Sequence, residues 1–367
     1  MTRTRPRLVS AITPWICACW AVSASLSTAN ATVYYEGKDV TVLVGFQAGG
    51  TVRDAQTFAS TWGKHVKGLP NFVVKTMPGG GGTTALNFLY ERARPDGLTL
   101  FMGSLSPASW ALGEQQLRAR YEDLEVIGGI TEVRVNYVRT DVVPGGMREP
   151  VDIMRAKNLK TSGVVPSSIL DLLVRMPLDI LGIDYRHVSG FPGGGTGIYA
   201  ALKRGEVHMH DVSIRGYRTR AAEAVQSGEM MGLFYLAYVD DNGNIQKNPY
   251  VDELVTFSEF HQQIHGRMPS GPRWEALNWL VGLVSRLGLV VFAPPGTPAE
   301  AVAELRESYL RACDDPELQR ASLARFGIPY GCVDFETSRA IIDSLVNVDP
   351  AIVEELRLAV PAGVSFY

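Results

Sequence analysis

The sequence predicts an α/β protein of two lobes, and three observations carry that expectation. Strand-like and helix-like stretches alternate along most of the chain, as they do where helices flank a sheet. Glycine runs stand where strands hand over to helices. The length that follows an N-terminal leader is more than one compact core usually holds, and 46% hydrophobic residues are enough for two.

Taken in order, the chain opens Met-Thr-Arg-Thr-Arg-Pro-Arg, with three arginines and no acid. An apolar and small-residue stretch follows to about residue 26, and then Ala29-Asn30-Ala31, the A-x-A form of a signal-peptidase site. Residues 1–31 read as a secretory leader. The alternative, a membrane anchor, fits poorly with a short apolar core broken by Pro14. Strand-like runs cover 40–44, 72–75, 98–102, 124–130, 135–139, 207–211, 233–238 and 289–293. Helix-like runs cover 54–66, 84–93, 150–156, 167–181, 197–204, 218–227, 274–285, 298–313 and 316–326. Such alternation predicts mostly parallel sheets with helices on both faces. Pro298, after Pro294-Pro295-Gly296-Thr297, and Pro316, after Asp315, each read as a helix start.

The glycine runs are the most informative feature. Phe46-Gln47-Ala48-Gly49-Gly50-Thr51 follows the first strand, and Met77-Pro78-Gly79-Gly80-Gly81-Gly82-Thr83-Thr84 the second. A strand–glycine loop–helix unit aims free backbone N–H groups at one point, and the helix N-terminus adds partial positive charge. Each loop therefore reads as an anion grip; the alternative is a turn needing positive φ. Gly80-x-Gly82-x-x-Ala85 is only a loose dinucleotide fingerprint, and no Gly-Lys-Ser/Thr is present.

Charge sets bounds on partners. There are 35 basic and 38 acidic residues, net −3, and loss of Arg3, Arg5 and Arg7 with the leader takes the balance to −6. That argues against nucleic acid but leaves room for an anion held by local dipoles. Cys313 and Cys332 remain after the leader; an exported compartment permits their pairing, and two buried thiols are the alternative. His208 and His210 share one face of a strand and Asp211 the other, too few for a zinc shell. His261 and His265 lack the glutamate of a metalloprotease helix and read as a solvated face. No Gly-x-Ser-x-Gly elbow occurs. Ser104, at the carboxyl end of the third strand, is either a ligand contact or a cap. Phe46 either packs on a ligand's carbon skeleton or is buried under its loop.

The order of motifs carries a resemblance. Val73-Val74-Lys75-Thr76-Met77-Pro78 leads into the four glycines, Arg94-Pro95-Asp96-Gly97 follows, then Gly205-Glu206-Val207, then Ala293-Pro294-Pro295-Gly296-Thr297-Pro298 before Asp314-Asp315-Pro316. Together these resemble the Bug family, the substrate-binding proteins of tripartite tricarboxylate transporters, over about residues 34–330. The resemblance implies a two-lobed periplasmic-binding-protein fold of type II, with lobe 1 from 32–138 and 290–367 and lobe 2 from 139–289. It implies a periplasmic, monomeric receptor without cofactor, metal or catalysis, which closes on a small organic carboxylate and delivers it to a membrane permease. A ligand-sensing partner of a signalling receptor and an exported α/β enzyme acting on a carboxylate are the alternatives. The implied ligand contacts are Phe46, Ala48, Gly49, Gly50, Thr51, Arg53, Gly80, Gly81, Gly82, Thr83 and Ser104 from lobe 1. Ser167, Gly193, Gly194, His208 and Asp211 come from lobe 2. Arg53 and His208 stand where the family commonly has acids. Arg53 is either a bidentate carboxylate partner or a solvated charge in a first helical turn.

Overall fold

The computed structural model describes residues 1–2, 33–47, 49–191 and 193–360. Ala48 and nearly all of the leader read over 1–31 lie outside the described residues. From Val33 onward the strands are β1 (Asp39–Val44), β2 (Asn71–Thr76), β3 (Thr99–Gly103), β4 (Glu125–Ile130), β5 (Arg134–Arg139) and β6 (Leu159–Ser162). They continue with β7 (Tyr185–Val188), β8 (Met209–Ser213), β9 (Met230–Leu236), β10 (Leu289–Ala293) and β11 (Cys332–Val333). One sheet has the order β11-β4-β10-β3-β1-β2 and the other β7-β6-β8-β5-β9.

Both sheets are mixed. β1 runs parallel to β2 and β3, and β6 parallel to β7 and β8. Against them, β10 runs antiparallel to β3 and β4, and β5 antiparallel to β8 and β9. The cause is connectivity. β5 and β10 are the strands whose chain arrives from the other lobe, so each enters at the carboxyl ends of the parallel strands and runs back along them. β5 pairs wholly within the second sheet, so the chain leaves the first between Ile130 and Arg134, before the expected crossing near residue 138. The return is complete where Gly288 N donates to Ile130 O at 2.9 Å.

Each sheet is buried on both faces, and side chains alternate accordingly. Along β10, Leu289, Val291 and Ala293 join Val42, Phe58, Trp62 and Tyr309 on one face. Val290 and Phe292 join Leu86, Phe101 and Tyr121 on the other. In the second sheet Val135, Tyr137 and Val212 face one layer, and Val138, Met209 and Phe234 the opposite one.

The helices that matter to the cleft are α1 (Gly50–Trp62), α2 (Thr83–Arg92), α3 (Pro107–Ala111), α4 (Ile169–Leu181) and α5 (Gly195–Lys203). α4 starts where Ser168 Oγ accepts from Asp171 N and ends at Gly182 in the left-handed region. The run expected as a helix over 150–156 is instead a 3-10 turn, Pro150–Arg155, and the run over 218–227 contains a π turn, Tyr217–Ala221. The helix Pro350–Ala359 packs on α4 and on the helix Pro272–Arg286, so the C-terminal segment expected in lobe 1 crosses to lobe 2. Cys313 and Cys332 form a disulfide with Cα atoms 6.1 Å apart. It ties the helix Ala299–Cys313 to the edge strand β11.

Candidate ligand-binding site

The carboxyl ends of the parallel strands in both sheets face one cleft, the position where open α/β sheets bind ligands. Three adjoining compartments share Phe46 as a wall. The compartment between the glycine loops, of about 300 Å³, is lined by Gln47, Pro78, Gly79, Gly80 and Gly81 of the first lobe and Val164, Val165, Gly190, Gly193 and Gly194 of the second. A smaller one, of about 60 Å³, lies between Gly49, Gly50 and Thr51 on one side and Gly195, His210, Asp211, Ser213 and Arg220 on the other. Ser104, Ser106, Gly81 and Ser168 line the third.

The second glycine loop is shaped for close approach. Gly79, Gly80, Gly81 and Gly82 all have positive φ, from 55° to 141°. A Cβ on Gly45 would lie 2.3 Å from Gly82 Cα, so the end of β1 and this loop touch only because residue 45 is glycine. Gly82 and Thr84 donate to Gly79 O at 3.0 and 3.4 Å, and Thr83 Oγ1 donates to Gly80 O at 2.7 Å. The Thr83 side chain thus braces the loop, while Gly80 and Gly81 line the cleft.

The lobes meet across this cleft. A Cβ at Gly81 would stand 3.7 Å from Val165 Cγ2, and one at Gly194 3.2 Å from Phe46 Cδ1. Two helix N-termini converge on the smaller compartment, Gly50 of α1 and Gly195 of α5. Arg220 lies between them. Its Nη1 is 3.0 Å from a Cβ position on Gly195 and its Nη2 is 3.8 Å from one on Gly49. Nη2 is buried and has no hydrogen-bond partner among the described residues. Burial, with the nearby Arg53 charge adding to it, holds the Arg220 pKa below its ordinary value.

Beneath Arg220 lie two fully buried side chains of β8. His210 Nδ1 contacts Ser162 Oγ at 3.3 Å, and burial takes its pKa down to about 3. Asp211 accepts from Arg134 Nε at 2.8 Å, and Arg134 Nη1 also reaches Glu132 at 3.3 Å. Burial pushes the Asp211 carboxyl up, to about 7, against the pull of Arg134. Arg134 is therefore spent on two acids, whereas Arg220 is not.

Several expected contacts sit elsewhere. His208 lies at the amino end of β8, away from the cleft, where its Nδ1 accepts from Lys160 N at 3.1 Å. Ser167 is completely buried, and its neighbour Ser168 lines the cleft instead. Arg53 is exposed in the first turn of α1 and lines none of the three compartments, whereas Asp54 turns inward and is 6% exposed. Neither Arg220, which lies within a helical run, nor Asp171 stood out in the sequence pattern. Asp171 Oδ1 accepts from Val164 N at 2.7 Å and Ser168 Oγ at 2.6 Å, while Oδ2 accepts from His187 Nε2 and Ser189 Oγ, both at 2.7 Å. One carboxylate thus fixes both loops that lobe 2 presents to the glycine runs. These hydrogen bonds outweigh burial and hold its pKa below the usual carboxylate range, although burial is the largest single influence.

Two mixed α/β lobes facing one cleft define the fold of a periplasmic binding protein. By sequence, the chain matches no protein-family model and no curated protein. By structure, its neighbours are binding proteins of the Bug and TctC type. They include the periplasmic binding protein BugD, at 18% identity and TM-score 0.65 over 89% of this chain and 98% of that one. MatC from Rhodopseudomonas palustris, with bound malate, is 22% identical with TM-score 0.61 over 88% and 99%. Rpa4515 of R. palustris, with adipate, is 17% identical with TM-score 0.66 over 88% and 98%.

Proposed function

We propose that the protein is a periplasmic solute receptor that captures a small organic carboxylate between its lobes and delivers it to a membrane permease of the tripartite tricarboxylate type. The observation that carries this reading is the convergence in one cleft of two helix N-termini and the Arg220 guanidinium, whose Nη2 has no hydrogen-bond partner among the described residues. A carboxylate buried by lobe closure must find a donor for each oxygen, and this cleft has donors to spare. The fold, the malate and adipate held by two of its structural neighbours, and the order of glycine and proline motifs support the same reading.

In this reading residues 1–31 are removed on export and the mature chain works as a monomer. The two sheets with their helices are the closing lobes. Gly49–Thr51 and Gly80–Gly81 grip the carboxylate from the first lobe, and the loops of Gly193–Gly195 and Ser168 close from the second. It binds without turnover: where a serine meets a histidine at the cleft, Ser162 Oγ donates its hydrogen to Met209 O rather than to His210, so the histidine does not activate it as a nucleophile. Thermal-shift screening of residues 32–367 against di-, tri- and aromatic carboxylates tests this. A ligand at a hundredfold excess over its Kd adds about 2.7 kcal/mol. The expected hit is a carboxylate recovered chemically unchanged; stabilisation by none of them, or conversion of the hit, argues against the reading.

A further inference from the structure

We propose that the second lobe builds a subsite for a hydroxyl-bearing organic anion, in which Arg220 pairs with a carboxylate and His210 Nε2 accepts the hydrogen of a neighbouring hydroxyl. The proposal rests on the carboxylate reading and narrows it to hydroxycarboxylates.

Arg220 is placed by the π turn Tyr217–Ala221, a local distortion of the kind often found at functional sites. Its guanidinium spans the gap between Gly49 of one lobe and Gly195 of the other. It forms no salt bridge among the described residues. A buried guanidinium edge without an acceptor is costly, so the cleft favours an anion there.

His210 fixes what stands beside that anion. Its side chain is 3% exposed and lines the same compartment. Ser162 Oγ spends its single hydrogen on Met209 O at 2.9 Å. The 3.3 Å contact between Ser162 Oγ and His210 Nδ1 therefore takes its hydrogen from the ring. The ring is then the Nδ1–H tautomer, and Nε2 keeps a lone pair. Nε2 has no protein partner among the described residues and stands 3.8 Å from the Cβ position of Gly195, the same position that Arg220 Nη1 approaches.

A lone pair beside a guanidinium offers nothing to a carboxylate alone, which brings no hydrogen. It needs a donor. An ammonium group would bring positive charge toward Arg220, and the two acids that line the compartment, Asp211 and Glu132, are both engaged by Arg134. A hydroxyl brings one hydrogen and no charge, and so matches a single neutral acceptor.

Matched ligand pairs test this on the unaltered mature protein by calorimetry: 2-hydroxyglutarate against glutarate, lactate against propionate, mandelate against phenylacetate, with glutamate and alanine as ammonium probes. We expect the hydroxy acid of at least one pair to bind about tenfold or more tighter than its deoxy partner, because the deoxy ligand leaves Nε2 unpaired. His210→Phe should bring that ratio close to one, and Arg220→Met should weaken the hydroxy acid by about tenfold or more. Equal affinities within every pair would overturn the proposal and leave the carboxylate reading standing. Preference for the amino acids would overturn it in favour of an ammonium subsite. Failure of every carboxylate to bind would overturn both.

Discussion

His210 is the side chain through which acid reaches the interior of the second lobe. Folded, its ring resists protonation until about pH 3; unfolded, it takes a proton near 6.5. The unfolded state binds more protons across that window, so stability is lost as pH falls from 6.5 toward 3, by up to about 1.4 kcal/mol per pH unit. His210→Gln removes the titration. Urea midpoints at pH 7.5, 5.5 and 4.5 should show the wild-type advantage shrinking with acid; parallel losses in both proteins would count against this account. Asp171→Asn should act differently, since one oxygen that accepts becomes a group that donates into two existing donors. Binding should weaken about tenfold or more while α4 stays helical, read by calorimetry beside circular dichroism. Much at this scale was hidden in the sequence. His208 and His210 are one residue apart in a two-residue repeat, so pattern alone gives them the same face, and only the strand's polarity says which end meets the cleft. Arg220 looked like any cation in a helical run because its neighbour in space, Gly195, is far from it in the chain.

The elements that line the cleft are loops held by packing. Gly81→Val and Gly50→Val should abolish carboxylate binding while unfolding stays cooperative, because the added side chains enter the gap that Val165, Ser168 and Ser213 border. Unchanged affinity in either variant would make that loop a simple turn. Gly45→Ala should instead cost stability, about 1–3 kcal/mol, since its methyl would collide with the backbone of Gly82. The Cys313–Cys332 disulfide closes a loop with a sequence separation of 19. Its removal by Cys332→Ser should cost about 3 kcal/mol, and a melting curve with and without reductant gives the same comparison. Undiminished stability after reduction would show the link to be idle. The glycine loops were legible because a strand, a glycine run and a helix in succession leave few other geometries. The cysteine pairing was not, because both partners suit a buried site equally well as thiols.

For the molecule as a whole, binding should draw the lobes together. Small-angle scattering of the mature protein should show compaction when the best carboxylate is added, and an unchanged radius of gyration at saturating ligand would contradict closure. The alternation of strands and helices made the α/β class legible, but not the reversed strands β5 and β10, whose direction follows from entering the opposite lobe. Nor did local pattern reveal that the helix Pro350–Ala359 leaves the lobe of its predecessor, Phe335–Val346. That last crossing has a mechanical consequence. With the passages at 131–133 and 287–288, it joins the lobes at three places, and Arg175 holds the last segment on lobe 2 by donating to Ala359 O. Two bodies stitched once can swivel, twist and slide; stitched three times, they rock about one axis. A ligand too long for the cleft then cannot be admitted by a sideways slip. In the proposed receptor such a ligand would leave the jaws ajar, and a partner that touches both lobes at once would meet a misaligned outer face. The proposed receptor's selectivity would in this way be written on the outside of the protein as well as within its grip.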